Sequence, residues 1–242
     1  MEWQGKRYWL VGASEGLGEA LAHVMSCAGV ELVLSARNKD KLEAIVKELP
    51  GAARAVACDV GDRVSVEAAR TEAGDLDGVI ILAGVYWPQS AQEWNPDEIE
   101  MMCDVNFTGT ARVVGSVVKD FAARDAGHIV ITGSLSGFRG LPGAQGYAAS
   151  KAGVMAMAES LYCDFHRTNV RVQLSNPGFI KTRLTDKNDF SMPFIMSPED
   201  AAREMFEHMC SGRFDQSFPR FFSWVFRLSR FMPNWMYYRL FA

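Results

Sequence analysis

The sequence predicts an α/β fold in which a doubly wound parallel sheet forms a single domain. Short apolar runs rich in Val, Ile and Leu alternate with segments of helical periodicity, which is typical of parallel strands covered by helices on both faces. No internal repeat or low-complexity linker marks a second domain. The 242 residues, 48% hydrophobic and 22% charged, have the composition of a globular chain that can bury a large core.

The apolar runs set the expected strands, and the periodic segments between them set the expected helices. Strands are expected over residues 7–11, 30–35, 53–58, 78–82, 128–133 and 170–175, with a last short strand within 214–218. Helices are expected over residues 17–28, 39–48, 62–73, 96–123 (with a break near Asn106), 147–167 and 198–211. Right-handed crossovers between such strands place the ligand site at their carboxyl ends.

The first strand ends in a glycine-rich turn, residues 12–18 (GASEGLG), which leads into a helix. Glycines let the backbone approach phosphate groups, and the N–H groups at a helix N-terminus point at them. The sequence therefore predicts a Rossmann fold with a diphosphate-binding turn. The glycine spacing of 12, 16 and 18 differs from the commonest dinucleotide pattern. A glycine-rich turn that binds no nucleotide is the alternative.

Tyr147 and Lys151 stand four residues apart where an Ala- and Met-rich helical segment begins, so both side chains share one helix face. A phenol has an unperturbed pKa of ~10 and is a poor acid or base at neutral pH. A nearby ammonium stabilises the phenolate, lowers its pKa and makes proton transfer accessible. The pair predicts a catalytic tyrosine, and the alternative is a core tyrosine beside a solvated lysine.

Further residues, in the same order, make residues 5–219 resemble the short-chain dehydrogenase/reductase family. Besides the glycine turn and the Tyr–Lys pair, the matching positions are Asp59-Val60, Ala83-Gly84, Asn106, Ser134, Pro177-Gly178 and Thr182. Ser134 and Tyr147 are thirteen residues apart, which is the separation that the family uses. Two places depart from the family: Ile81-Leu82 replaces a usual Asn-Asn, and Val11 replaces a frequent Thr.

The resemblance implies an enzyme that interconverts a carbonyl and an alcohol with a nicotinamide cofactor. In such an enzyme Tyr147 donates the proton, while Lys151 lowers the Tyr147 pKa and holds the nicotinamide ribose. Ser134 fixes the reacting oxygen, and Asn106 anchors a water that relays protons. The implied cofactor-binding residues are Gly12, Ser14, Glu15, Gly16, Leu17, Gly18, Arg37, Asp59, Val60, Ala83, Gly84, Asn106, Tyr147, Lys151, Pro177, Gly178, Ile180 and Thr182. A non-catalytic, dinucleotide-binding regulatory protein on the same scaffold is the alternative.

The end of the second strand favours NADP(H) as the cofactor. An acid at this point would bind the ribose 2′-hydroxyl of NAD, but Ala36 occupies the expected position and Arg37 follows it. An arginine can grip a 2′-phosphate through several N–H groups, with Ser35 and Asn38 assisting. A solvated Arg37 at a helix start is the alternative. Glu15 in the glycine turn weighs against NADP(H), because some NADP-using relatives carry a basic residue there.

Composition excludes several classes of protein. A net charge of −4 gives no basic footprint for nucleic acid. The five scattered cysteines predict reduced thiols in a cytoplasmic setting, most of them as small core residues, and the four isolated histidines suggest no metal site. Charged residues interrupt any signal peptide near the N-terminus, and no apolar stretch of about 18 residues predicts a membrane-spanning helix.

The segment that relatives use as a lid, residues 183–197, is oily here and favours an apolar substrate. Its apolar residues, together with two aromatics after the fourth strand, are Phe190, Met192, Phe194, Ile195, Met196, Tyr86 and Trp87. Simple packing of the lid onto the body is the alternative.

The resemblance also implies a homodimer, with a tetramer left open, in which the helix from Tyr147 to about His166 joins the helix ending near Ala123. The residues expected at that interface are Val154, Met155, Met157, Ala158, Leu161 and Tyr162.

Residues 220–242 form a C-terminal extension of the domain spanning residues 1–219. Arginines and aromatics crowd this extension without any acid, and Pro233 is expected to split it into two short helices. This pattern favours a peripheral membrane contact at an anionic surface. Packing against the lid or a partner subunit is the alternative.

Overall fold

The computed structural model describes residues 2–188 and 192–241 and confirms the doubly wound parallel sheet. Its strands are β1 (Arg7–Val11), β2 (Glu31–Ala36), β3 (Ala53–Ala57), β4 (Gly78–Ile81), β5 (Gly127–Thr132), β6 (Val170–Pro177) and β7 (Asp215–Phe218). The strand order is β3-β2-β1-β4-β5-β6-β7, and every neighbouring pair is parallel. The chain reverses direction across the sheet between β1 and β4, which opens a crevice at the carboxyl ends of these strands.

Helices cover both faces of the sheet. They are α1 (Gly16–Cys27), α2 (Lys39–Glu48), α3 (Arg63–Ala73), α4 (Pro96–Met102), α5 (Gly109–Ala123), α6 (Gln145–Phe165), α7 (Pro198–Cys210), α8 (Arg220–Ser229) and α9 (Asn234–Phe241). The expected break near Asn106 is a π-helical turn, Cys103–Thr108, between α4 and α5. The two short helices expected around Pro233 are α8 and α9.

The core lies in two layers, because successive strand residues point to opposite faces. In β1, Trp9 packs in the layer beneath α3, α5 and α6, whereas Leu10 packs in the layer beneath α1, α2 and α7. Both side chains are fully buried. Packing in the two layers holds the strands in place, and the carboxyl ends of these strands carry the site described below.

Two expectations about burial are wrong: most cysteines were expected in the core, and three residues of α6 were expected at a dimer interface. Among the described residues only Cys58 is a buried cysteine; the other four lie exposed on helices or at helix ends, and all five are free thiols. In α6, Val154, Met155 and Ala158 are buried within the chain's own core and cannot form a dimer contact. Within the described part of the chain, no helix has the length and apolar character needed to span a membrane.

Candidate active site

The glycine turn is a cradle in which side chains would not fit. Gly12 has φ +96°, and a Cβ there would lie 2.4 Å from the backbone nitrogen of Ala83. A Cβ on Gly18 would lie 2.0 Å from the carbonyl oxygen of Gly12. Glu15 precedes α1 in an extended conformation and makes no side-chain capping bond. The first-turn N–H groups of α1 therefore face the crevice without a cap, in the arrangement that suits a phosphate.

The replacement of the family's usual Asn-Asn by Ile81-Leu82 leaves the backbone contacts of this cradle in place. The backbone N–H groups of Leu82 and Ala83 both donate to the carbonyl oxygen of Val11, at 2.8 and 3.0 Å. These bonds join the end of β1 to the loop after β4. The floor of the crevice is therefore closed by main-chain groups.

A cavity of about 830 Å³ runs from the glycine turn to the side chains of Tyr147 and Lys151. Every cofactor-binding residue predicted from the sequence lines this cavity except Asn106, which is fully buried behind it. The lining also includes residues that the sequence analysis missed, among them Lys39, Lys41, Arg183, Leu184 and Thr185. These residues lie within a few positions of Arg37 or Thr182 in the sequence, and this proximity is the signal that could have identified them.

The wall of the cavity at the end of β2 is basic. Ala36 ends the strand where an acid would meet the ribose of NAD, and Arg37 is exposed beside it. The Asn38 side chain caps α2 by accepting from the backbone N–H of Lys41 at 3.1 Å. The expectation that Ser35 assists is wrong, because its buried hydroxyl accepts from the indole N–H of Trp9 at 2.8 Å.

Glu15 is neutralised by two cations from other segments. Its carboxylate lies 2.7 Å from Arg183 and 3.5 Å from Lys41. These ion pairs are partly exposed and contribute little to stability. They nevertheless offset the negative charge that Glu15 would otherwise present to a phosphate.

Tyr147 and Lys151 both line the cavity from α6, on the shared helix face that their spacing predicts. The Lys151 ammonium is buried, lies 5.9 Å from the centre of the Tyr147 ring and donates to the carbonyl oxygen of Thr132 at 2.9 Å. Burial lowers the pKa of Lys151 to about 8, because the charged form loses its hydration.

The net shift of the Tyr147 pKa in this structure is opposite to the one expected from Lys151. Burial raises the Tyr147 pKa above its usual value, and the hydrogen bond from Ser134 opposes that rise without overcoming it. The Lys151 ammonium is instead engaged with the Thr132 carbonyl. The phenol is consequently held in its protonated form, which is the form that can act as an acid.

Asn106 and Ser134 hold the elements around this pair. The Asn106 side chain accepts from the backbone N–H of Val85 at 2.8 Å, and it donates to the Val85 carbonyl at 3.0 Å and to the Ser150 hydroxyl at 3.1 Å. It thus ties the loop after β4 to α6, and both N–H groups of its amide are engaged. Ser134 follows β5, and its hydroxyl accepts from the backbone N–H of Ser136 at 3.2 Å.

Asp59 and Thr182 both line the cavity. One carboxylate oxygen of Asp59 accepts from the backbone N–H of Gly61 at 2.9 Å, which closes a local turn. The methyl group of Thr182 meets the glycine turn, since a Cβ on Gly16 would lie 2.8 Å from it. The local turn uses only one carboxylate oxygen of Asp59.

Of the two aromatic residues after β4, Tyr86 packs beside Tyr147 and Trp87 contacts Lys187. The Tyr86 ring meets the Tyr147 ring edge-on at 5.0 Å, and the Tyr86 hydroxyl donates to Asn188 at 3.1 Å. The Lys187 ammonium lies 4.3 Å from the centre of the Trp87 ring. Of the oily lid residues, Phe194 and Ile195 are exposed, and Phe190 falls outside the described residues.

This fold and site define a nucleotide-binding α/β protein with a tyrosine–lysine pair at the far end of the nucleotide crevice. The model of the short chain dehydrogenase family matches residues 6–191. The chain therefore belongs to the short-chain dehydrogenase/reductase family, and it is an oxidoreductase of that family, whose members use nicotinamide dinucleotides.

Relatives and solved structures agree with this assignment. An uncharacterized oxidoreductase of Myxococcus xanthus (strain DK1622) is 35% identical over 232 residues, which are 93% of this chain and 92% of the relative. A short-chain dehydrogenase/reductase from Burkholderia phymatum in complex with NAD has a TM-score of 0.87 at 24% identity over 95% of this chain and 94% of its own. A short-chain dehydrogenase from Sphingobium yanoikuyae in complex with NADPH has a TM-score of 0.81 at 24% identity over 89% of this chain and 88% of its own.

Proposed function

We propose that the protein is an NADP(H)-dependent oxidoreductase that interconverts a carbonyl and an alcohol on an apolar substrate, with Tyr147 as the general acid and base. The observation that carries this proposal is the single cavity that joins the glycine turn to Tyr147 and Lys151. The glycine cradle and the uncapped start of α1 fit a diphosphate at one end. The buried tyrosine–lysine pair fits a proton-transfer step at the other.

NADP(H) is proposed over NAD(H) because of the charges at the end of β2. The wall there carries Arg37, Lys39 and Lys41 around Ala36, and Asp40 is the acid among them. A 2′-phosphate would meet cations and the N-terminal end of α2, whereas a 2′-hydroxyl would find no acid at position 36. The ion pair between Glu15 and Arg183 supports the proposal, because it offsets the negative charge of this acid.

The residues around the reacting carbonyl have separate tasks in the proposed reaction. The bound nicotinamide supplies or accepts the hydride. Tyr147 donates its phenolic proton to the oxygen of the carbonyl, and Ser134 orients that oxygen. Lys151 presents a positive charge beside the developing phenolate, which lowers the cost of proton loss in the transition state. Asn106 acts as a positioning residue by holding Val85 and α6, and the proposed water relay to Lys151 starts at this residue.

The substrate and setting are proposed from the walls of the site. The Tyr86 ring packs against the Tyr147 ring, and Leu184 lines the same cavity as Tyr147, which fits an apolar carbonyl or alcohol. The five free thiols suit a reducing cytoplasmic setting. We also propose a homodimer and a peripheral membrane contact through residues 220–242.

The test is reduction of a broad panel of ketones and aldehydes with NADPH and with NADH in parallel, together with direct measurement of the affinity for each cofactor. We expect turnover of apolar carbonyls, with kcat/KM higher for NADPH. Tight NADPH binding without turnover of any carbonyl would favour the non-catalytic, nucleotide-binding alternative.

A further inference from the structure

Helix α8 carries its apolar face outward. Phe221, Trp224, Val225 and Leu228 follow the i, i+3, i+4, i+7 spacing of one helix face, and they are 77%, 59%, 45% and 57% exposed. On the other side of the helix, two serines are buried, and their hydroxyls donate to carbonyls three residues earlier. The fold thus leaves uncovered the stripe that an amphipathic helix normally buries.

The exposed stripe continues into the lid and beyond the end of α8. The ring of Phe194 lies 6.1 Å from that of Phe221. Phe231, just after α8, is 85% exposed, and it borders a groove together with Trp224 and Leu228. We call Phe194, Phe221, Trp224, Val225, Leu228 and Phe231 the apolar surface. Trp235 and Tyr238 of α9 add two further exposed aromatic side chains.

The segment that carries most of the apolar surface is basic, although Glu159 and Asp215 also line the groove beside Trp224 and Phe231. Residues 218–242 contain four arginines and no acid. Arg227 pairs with Asp215, whereas Arg220, Arg230 and Arg239 are exposed. Since the whole chain carries −4 and this segment +4, the rest of the chain carries −8. An exposed aromatic stripe with arginines at its edges fits the headgroup region of an anionic bilayer, where the rings enter the interface and the guanidinium groups meet phosphates.

The apolar surface adjoins the substrate end of the site. Phe194 belongs to the same lid as Lys187 and Asn188, which contact Tyr86 beside Tyr147. The ring of Phe179, one residue after the cavity-lining Gly178, lies 5.9 Å from that of Phe222 in α8. A bilayer against the apolar surface would therefore border the entrance that leads to Tyr147.

We propose that the apolar surface docks the enzyme on an anionic lipid bilayer, and that the substrate is an apolar carbonyl or alcohol that reaches Tyr147 from the lipid phase. The docking stands on the exposure of the apolar surface and on the charge of residues 218–242 alone. The route of the substrate rests on the proposed function. The two parts therefore have separate tests.

Docking is tested by sedimentation of the full chain with vesicles of phosphatidylcholine alone and of phosphatidylcholine mixed with phosphatidylglycerol. We expect pelleting with the anionic vesicles and a loss of affinity of at least about tenfold in the triple variant Phe221→Ser, Trp224→Ser, Leu228→Ser. The matched control is Val64→Ser, Trp94→Ser, Met101→Ser, which removes three exposed apolar side chains elsewhere and should pellet like the wild type.

The charge contribution is tested with Arg220→Gln and Arg239→Gln, each expected to weaken anionic binding about fivefold. Lys47→Gln, which removes an exposed cation on α2, should leave the binding unchanged. Failure of the wild type to pellet would overturn the docking. A wild-type dimer that the triple α8 variant alone converts to a monomer would also overturn it, because a second copy would then cover the apolar surface.

The route of the substrate is tested by comparing a water-soluble ketone with a long-chain ketone dissolved in the vesicles. We expect the triple α8 variant to keep wild-type kcat/KM for the soluble ketone and to lose at least about tenfold for the vesicle-borne one. An equal rate of the two proteins on the vesicle-borne ketone would overturn the proposed route. Absence of turnover on both ketones would instead contradict the proposed function, while the vesicle-binding result would stand.

Discussion

At the scale of single residues, the site is governed by desolvation. Burial raises the pKa of Tyr147 and lowers that of Lys151 to about 8, so both groups shift toward their neutral forms. Tyr147 is thereby held protonated and ready to donate, while Lys151 gains or loses its charge close to physiological pH. The sequence predicts an ammonium group that acts on a phenol. In the folded chain, the charge of that ammonium group depends on the pH.

The rate of carbonyl reduction should therefore fall in mildly alkaline solution. The Lys151 pKa is depressed below that of a free lysine, so the ammonium is present below about pH 8 and is lost as the pH rises through that value. We expect kcat/KM for reduction, which reports ionisations of the free enzyme, to decrease through about pH 8. Lys151→Arg, which remains charged, should lose that decrease even if its rate is lower. A wild-type profile that stays flat through this range would contradict the assignment.

A second titrating residue, far from the cavity, should set the acid stability. His128 is buried between the Tyr8 hydroxyl and Gln173, and burial lowers its pKa to about 3. In the unfolded chain His128 is protonated below about pH 6.5, whereas in the folded chain it stays neutral down to about pH 3. The contribution of His128 to the free energy of unfolding is therefore complete above pH 6.5 and is lost as the pH falls toward 3. The loss is on the order of 4 kcal/mol.

Measuring the free energy of unfolding in urea across this pH range checks the point. We expect His128→Gln to be less stable at neutral pH but to have a shallower acid dependence. His166→Gln, the same change at an exposed histidine, should keep the wild-type slope. Identical slopes in all three proteins would show that another group controls acid unfolding.

At the scale of elements, the starts of α1 and α2 and the end of β2 together form the nucleotide half of the site. The start of α1 has no side-chain cap, whereas that of α2 is capped by Asn38 and lies beside Arg37. The uncapped start of α1 leaves its backbone N–H groups available to a phosphate. The proposed cofactor choice therefore depends on a few side chains at the end of one strand.

Reversing the charge at position 37 should change that choice. Arg37→Asp is expected to reduce kcat/KM with NADPH roughly tenfold to a hundredfold and to spare or improve the value with NADH, because a carboxylate repels the 2′-phosphate. Arg63→Asp, the same change at an exposed arginine at the start of α3, should alter neither value. A wild type that already prefers NADH would contradict the role given to Arg37.

The sequence predicts the elements well and the contacts between distant segments poorly. Helix and strand bounds lie within about two residues of the expected ones, because the apolar periods are clear and a parallel sheet leaves few alternatives. The Trp9–Ser35 bond and the link from Glu15 to Arg183 join segments far apart in the chain, and no local pattern reveals them. The shift of the Tyr147 pKa is of the same kind, because it depends on burial in the assembled fold.

At the scale of the whole molecule, the chain combines an acidic body with a basic, aromatic end. The exposed side chains of α6 determine which surface is available for a dimer contact. Val154, Met155 and Ala158 of α6 pack in the chain's own core, so a four-helix dimer contact would use an outer side of this helix. That surface includes the exposed Ala152 and Ala156, with the nearby Phe107, which is 39% exposed. Small residues on this side would let two copies of α6 approach closely.

The proposed homodimer can be tested by light scattering at micromolar concentration. We expect a dimer for the wild type and a monomer for Ala156→Arg, because a buried guanidinium without a partner is costly at an interface. Ala68→Arg, at an exposed position on α3, should remain dimeric. A monomeric wild type would contradict the homodimer.

The central claim is that the Tyr147 hydroxyl supplies the proton to the carbonyl, and Tyr147→Phe tests it most directly because this change keeps the ring and removes only the hydroxyl. The measurement is single-turnover reduction of the best carbonyl of the panel by enzyme saturated with NADPH, alongside the NADPH affinity and the unfolding curve of the same variant. We predict a loss of rate of roughly a hundredfold to ten-thousandfold, with cofactor affinity and fold unchanged. A Tyr147→Phe enzyme that binds NADPH and reduces the carbonyl at close to the wild-type rate would contradict the account.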